Sequence, residues 1–301
     1  MIEFATLWEA GKFAAGSYTW ARKQLKKESL HAIERVNALI NRGDALVKVH
    51  RIVKRTPTVT ALGSVTISAE VGARASVLRP SLELNEMHAL ALNWNGSDVD
   101  TIRAEICDFA DVKALRELPA HVPASRPPVL SAGAVVVCPT ERCLLLHRRS
   151  ATSATYPNLL HILGGAYKPP IQHRHIDNPG DRSSLEFTML REVFEESGLI
   201  VRRYDEPVCV AQELDTGFIQ YVYLGVRITS AQFAQLSQNS EGDLVRVSFD
   251  ELKKLLAYKE EWVPTGRAQI LMWLGLGAPG AGWSPRFDGK TATELFDAVT
   301  N

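Results

Sequence analysis

The chain has 301 residues, enough for two ordinary domains, and 46% hydrophobic with 23% charged residues is the balance of a chain that fills a core. Its 34 basic and 34 acidic side chains cancel, so net charge points to no particular partner. No run of about 18 apolar residues exists, which excludes a membrane-spanning helix, and Cys107, Cys138, Cys143 and Cys209 form neither a CxxC pair nor a secreted framework.

The start, MIEFATLWEAGKF, lacks the basic-then-apolar layout of a secretory signal, so a soluble cytoplasmic protein is expected. Residues 1–55 carry eleven Lys or Arg, Arg22, Lys23, Lys26 and Lys27 among them, against five Asp or Glu. Such an arm can meet nucleic acid or anionic lipid. A solvated helix face explains it more simply, so a nucleic-acid partner is not favoured.

Leu25, Leu30, Ile33, Val36, Leu39 and Ile40 recur at helical spacing and predict an amphipathic helix over residues 18–42, stopped at Gly43. The segments ALVKVHRIV, TVTALGSVTISAEV and ASVLR, rich in Val, Ile and Thr, then predict strands, with MHALALNW a further one. DVDTIRAEICDFADVKALREL reads as one or two helices opening near Asp98 or Asp100. Together these make an α+β region over 1–122. Pro123, Pro127 and Pro128 can continue neither a helix nor a central strand, so a linker is expected over 123–130.

A second unit, 131–278, opens with the strands SAGAVVVCP and CLLLHRRS; YPNLLHILGGAY adds a third that ends in Gly164-Gly165. A loop follows from Lys168 to Arg182, then a helix over 184–197 with Gly198 as its stop. Strands at 201–214, 218–228 and around Val245–Val247 lead to helices at 248–258 and 264–275, and 279–301 is a tail with a short helix. Mixed strands with interspersed helices predict an α/β/α sandwich preceded by a separate α+β domain.

The chemistry lies in SSLEFTMLREVFEESGLI, residues 183–200. Ser183 is expected to cap the helix, with Glu186 closing a capping box. At about 100° per residue, Met189, Leu190, Val193 and Phe194 fall on one side and Glu192, Glu195 and Glu196 on the other. Three such carboxylates repel one another, and a divalent cation resolves the conflict. Hard oxygen ligands suit Mg²⁺, which takes one or two carboxylates and keeps water and phosphate as its other ligands. Arg191, one turn before Glu195, is placed to pair with it.

Arg191-Glu192-Val193-Phe194-Glu195-Glu196-Ser197-Gly198-Leu199 closely resembles the second half of the Nudix box, in every fixed identity and both aliphatic positions. The first half departs from it. Counting back from Arg191, Ser183 stands where the family has Glu and Asp177 where it has Gly, while Gly164-Gly165 lies about a dozen residues too early for the box. The resemblance covers about residues 129–277 and implies Mg²⁺-dependent hydrolysis of a diphosphate linkage in a nucleoside diphosphate joined to another group, with Mn²⁺ able to replace Mg²⁺. It also implies roles. Glu195 and Glu196 hold the metal, Glu192 is a further ligand or an orienting acid, and Arg191 orients the site. The general base is Glu241 before the last core strand, or failing that Glu213. Gly164, Gly165, Lys168, Arg148 and Arg149 are the candidate substrate contacts, with His173, Arg174, His175 and Arg182 in the loop more simply solvated.

Rival readings are a non-catalytic Nudix-fold ligand sensor or scaffold, favoured by the missing acid at Ser183, and an isopentenyl-diphosphate-isomerase-like enzyme. The latter needs a catalytic Cys where Gly164-Gly165 stands. No proline stands at the downstream spacing associated with ADP-ribose hydrolases. The residues leave open the substrate, a homodimer, and whether Tyr18, Trp20 and Trp94 stack on a ligand or pack in a core.

Overall fold

A computed structural model describes residues 29–40, 46–82, 85–96, 100–117, 127–153, 155–168, 184–202, 204–237, 242–282 and 285–301. Residues 29–40 are helical (α1). There follow β1 (Val47–Val53), β2 (Thr58–Ser64), α2 (Ala69–Leu78), β3 (Met87–Ala91), β4 (Thr101–Asp108) and α3 (Phe109–Glu117). Then come β5 (Val129–Cys138), β6 (Cys143–Arg149), β7 (Leu160–His161), β8 (Leu163–Ala166) and α4 (Leu185–Ser197). The remainder is β9 (Tyr204–Glu213), β10 (Phe218–Arg227), α5 (Ser230–Phe233), β11 (Gly242–Ser248), α6 (Phe249–Ala257), α7 (Pro264–Gly275), β12 (Arg286–Phe287), β13 (Lys290–Thr291) and α8 (Ala292–Thr300).

The sheet is mixed, ordered β1-β9-β10-β5-β3-β4-β2, with β6 and β8 also paired to β5, and β7 and β11 paired to β6. The β10–β5 and β2–β4 pairs are parallel and the other pairs of this sheet antiparallel. Alternate residues of β5 face opposite ways, as strand geometry requires. Val135 and Val137 join a core with α1, α6, α7 and α8. Ala134 and Val136 join another with Leu185, Met189 and Val193 of α4. That is the expected α/β/α sandwich. Helix α7 is buried along nearly its whole length, Trp273 and Met272 included, as an apolar helix inside a layer must be.

Strands from before residue 123 belong to this same sheet. β1 pairs with β9 from Val47↔Glu213 to Val53↔Val208, and β3 meets β5 at Leu90↔Val129, where Ala91 N donates to Pro128 O at 2.8 Å. Val129 and Leu130, expected in the linker, already form β5 and are buried. Two element types are also corrected. Residues 69–71 and 75–78, read as strand, belong to α2, because the Ser68 hydroxyl accepts from Val71 N and starts a helix that buries Val71, Ala75 and Leu78. Residues 101–108, read as helix, form β4, in which Ile102, Ala104 and Ile106 alternate inward.

The expected strand through YPNLLHILGGAY is divided at Ile162 into β7, on β6, and β8, on β5. All four cysteines are free and buried, and burial pushes the thiols of Cys107, Cys143 and Cys209 up to about 12. Among the described residues no helix is long and apolar enough to cross a membrane. Trp94 stands edge-on to His50 and Tyr221 at the sheet, whereas Tyr18 and Trp20 lie outside the described residues.

Candidate active site

The site begins where three glycines let two strands and a helix approach closely. β8 runs antiparallel to β5 with Gly133↔Gly164 and Ala132↔Gly165 as partners. A Cβ on Gly164, whose φ is +154°, would lie 2.5 Å from the Cα of Gly133. A Cβ on Gly165 would lie 2.4 Å from Oε2 of Glu192. The backbone of β8 therefore receives carboxylates of α4 directly, and Gly164 N donates to Glu196 Oε2 at 2.8 Å.

Helix α4 starts one residue later than expected. Ser184 is the N-cap, accepting from Phe187 N at 3.0 Å, and Ser183 lies outside the described residues. Phe187 at N3 leaves no capping box, and Glu186 accepts from the Tyr204 hydroxyl instead. Gly198 closes the helix in the left-handed region at φ 72°.

The buried stripe is also rotated from the expected one. It runs Leu185, Thr188, Met189, Glu192, Val193, Glu196, the i, i+3, i+4, i+7 pattern of a helix on a core. Phe194, expected inside, is 53% exposed; Glu192 and Glu196 are 6% and 4% exposed. Glu195 stands on the exposed side.

Carboxylates in such a setting need partners. Arg191 Nη2 donates to Glu192 Oε1 and, at 2.9 Å, to Ala166 O, while its Nε is 3.7 Å from Glu195 Oε2. Nδ1 of His147 lies 3.1 Å from Glu196 Oε1. Burial raises Glu192 to about 8; Arg191 pulls it down but by less, and Glu196 and Glu195 add to the rise. The Nε2 of His147 is buried and has no hydrogen-bond partner among the described residues. Among the described residues, no group of three or more His, Cys, Asp or Glu side chains is pre-arranged to hold a cation.

Glu192, Glu196, Gly164, Gly165 and Lys168 line a cavity of about 630 Å³. Strand alternation decides which cation of β6 joins them. Arg149 lines the cavity with His147, donating to Ser153 Oγ at 2.8 Å through Nη2. Arg148 points the other way, to Asn158 O at 2.8 Å and Glu261 at 3.3 Å, and is not among the lining residues. Residues of β3 and α3 contribute a wall. His88 stacks on Phe109 (5.3 Å between centroids, 26°) with Phe218 edge-on at 6.1 Å, and Glu86 pairs with Lys168 Nζ at 2.7 Å.

Glu213, a second-choice base in the sequence, is 4% exposed and lines the same cavity, where Thr216, Thr265 and Gln220 donate to it. The local sequence does not reveal this polar cluster, since Glu213, Gln220, His161 and Thr265 come from four elements. Its one signal was alternation, because Phe218 and Gln220 share a face of β10. Glu241, Ser183, His173, Arg174, His175 and Arg182 lie outside the described residues.

No family model matches the chain, and no curated protein matches it in sequence. Solved structures do. A MutT protein from Methanosarcina mazei Go1 is 20% identical over 48% of this chain and 93% of its own length, with a TM-score of 0.35. A Nudix hydrolase from Alicyclobacillus acidocaldarius is 16% identical over 49% and 90%, also at 0.35. A bifunctional NMN adenylyltransferase/ADP ribose pyrophosphatase from Francisella tularensis, complexed with AMP and a Mn ion, is 16% identical over 54% of this chain and 45% of its own, at 0.36.

Proposed function

We propose that the chain is a Nudix-type enzyme that hydrolyses a diphosphate linkage in a nucleoside diphosphate joined to another group. The observation that carries this reading is the seating of Glu192 and Glu196 on the side-chain-free backbone of Gly164 and Gly165, at the wall of a cavity large enough for such a molecule. A structural helix has no need of two buried carboxylates there.

The donor set suits Mg²⁺ or Mn²⁺: hard carboxylate oxygens, few in number, beside space for water and phosphate. Glu195 and Glu196 would hold the ion, with Glu192 as a further ligand. Once bound, it would neutralise charge developing on the diphosphate oxygens. The chain's own residues do the rest. Arg191 orients Glu192 and fastens the helix to Ala166 O. Lys168 and Arg149 offer positive charge to phosphate oxygens along the cavity. Glu241, before β11, remains the proposed base.

The His88–Phe109 stack supports a nucleoside, because a planar base gains from an aromatic wall. Burial holds the His88 imidazole below its usual value, and Nδ1 donates to Glu86 O at 3.0 Å, leaving Nε2 as an acceptor. On this reading residues 1–122 help to select the substrate. The isomerase alternative loses ground, since none of the four buried cysteines lines the cavity. Free thiols throughout suit a cytoplasmic protein.

The test is phosphate release from a panel of nucleotide sugars, dinucleoside polyphosphates, ADP-ribose and NADH, coupled to a phosphatase, with and without Mg²⁺. Turnover that requires the metal and drops by about two orders of magnitude or more in Glu195→Gln and Glu196→Gln is expected. Binding of a panel member without turnover would instead establish the sensor reading.

A further inference from the structure

Helix α4 is held on both flanks of its buried stripe. At about 100° per residue, Arg191 and Glu186 fall on opposite sides of the line through Leu185, Met189, Glu192 and Glu196. Arg191 ties one flank to Ala166 O of β8 at 2.9 Å. On the other flank, Glu186 Oε1 accepts from the Tyr204 hydroxyl of β9. Burial, and after it this bond to Glu186, raises the Tyr204 phenol to about 12, so it stays protonated and donates throughout the neutral range.

The hold continues beyond β9. The Tyr204 ring stands edge-on to Tyr223 of β10, with 5.4 Å between centroids and 81° between planes, and the Tyr223 hydroxyl lies 3.2 Å from Thr56 Oγ1. Two residues on, Thr58 forms an antiparallel bridge with Ser184, the N-cap of α4. Thr58 is itself fixed by its N–H, which donates to Asp100 O at 3.0 Å. Pro57 between the two threonines restricts the backbone and stiffens the entry into β2. One short segment thus reaches the start of α4 by two routes, through side chains to Glu186 and through the backbone to Ser184. It lies outside residues 129–277, the part of the chain that resembles the Nudix family.

Rotation is what such a hold controls. Side chains stand roughly 5–6 Å from a helix axis, so turning α4 by about 10° carries the carboxylates of Glu192 and Glu196 by about 1 Å. A misplacement of that size can cost about 100-fold in rate. We infer that Tyr204 and Glu186 are positioning residues that fix the rotation of α4, and that Tyr223 and Thr56 extend this hold to the segment entering β2. That segment thereby sets where Glu192 and Glu196 stand at the cavity. The inference rests on the diphosphate reading above and adds to it the contacts that keep its acids in place.

Tyr204→Phe keeps the ring and removes only the donor. In the full chain it should lower kcat on the best substrate of the panel by about tenfold or more, leave KM within about twofold, and weaken Mn²⁺ binding, read by electron paramagnetic resonance, by about tenfold. Glu186→Ala should do the same, whereas Glu186→Gln, which keeps an acceptor for the phenol, should retain most of the activity. Tyr204→Phe and Glu186→Ala together should be no worse than either alone, because the two residues act as a pair. Thr56→Val should act in the same direction and by less. A purely structural role would lower the melting temperature and leave kcat, KM and Mn²⁺ affinity of the folded chain unchanged. That result overturns the inference, as do effects of Tyr204→Phe and Glu186→Ala that add in full. An unchanged Thr56→Val overturns the extension to the segment entering β2. In each of these cases a wild type that binds Mn²⁺ and turns over leaves the diphosphate reading standing. A wild type that neither binds Mn²⁺ nor turns over any panel member overturns that reading, and the inference with it.

Discussion

Gly165 and Glu192 touch: a Cβ on the glycine would stand 2.4 Å from one carboxylate oxygen and 2.9 Å from the other. β8 and α4 can therefore meet only because residue 165 has no side chain. Gly165→Ala should push Glu192 off the strand and loosen its pairing with Arg191. Overpacking of this kind costs about 1–3 kcal/mol. The expected result is a modest fall in melting temperature with a much larger loss of kcat/KM. Full activity in the alanine variant would mean that the carboxylate need not occupy this seat.

The raised value of Glu192 sets a pH dependence. In the folded chain, freed of divalent ions by a chelator, this group titrates at about 8, against 4.5 for its ordinary value. The folded state therefore holds a proton that the unfolded state has released. This favourable contribution is fully present below 4.5 and is lost as pH rises towards 8. Denaturant melts between pH 5 and 8.5 should show stability falling with pH, and Glu192→Gln should flatten that slope. Added Mg²⁺ favours the charged carboxylate and should act most strongly at the alkaline end. A slope unchanged by the substitution would assign it to another group.

The parts of the fold that could be read in advance are those in which local pattern and tertiary environment agree. The helix 185–197 ends at Gly198, and the alternating or continuous apolar runs of β5, β6, β9 and β10 are strands. α2 and β4 were exchanged because their signals conflict. Val71 and Val77 look strand-like within a stretch that Ser68 caps as a helix, while Asp98 and Asp100 imitate a helix start before TIRAEICD. At the site, the acids of one helix were visible but not its rotation. Met189 and Val193 bracket Glu192, and the glycines of β8 together with the Arg191 guanidinium make its inward carboxylate tolerable. His147, His161 and Glu213 come from three strands, so no spacing in the chain announces them.

His147 is the residue whose role follows most directly from its surroundings. Its Nδ1 is 3.1 Å from Glu196 Oε1, and its ring is closed in by Gly242. Groups that orient a ligand from behind typically change metal affinity or activity by about 10–100-fold when removed. His147→Ala should weaken Mn²⁺ binding, read by electron paramagnetic resonance, within that range. Arg148→Ala, next in sequence but facing Glu261, should leave it unchanged. Equal effects from both would remove His147 from the site.

The last prediction concerns residues before the proline-rich stretch. Leu90 is 1% exposed and packs with Val129, Cys107 and Val112 in a cluster that takes strands from both sides of residues 123–128. β3 and β5 are also joined by the Ala91 N to Pro128 O bond. A core leucine cut to alanine costs about 2–5 kcal/mol. If the two regions unfold as one body, Leu90→Ala should lower a single transition, seen alike by fluorescence and by far-ultraviolet circular dichroism. It should also disturb the wall that holds His88, raising KM more than it lowers kcat. Two separate transitions, only the first moved by the substitution, would show that residues 1–122 fold independently and that the cavity gains its aromatic wall by docking. The shared sheet favours the single transition, because β3 lies between β4 and β5 and its removal from β5 would expose backbone groups that are now paired.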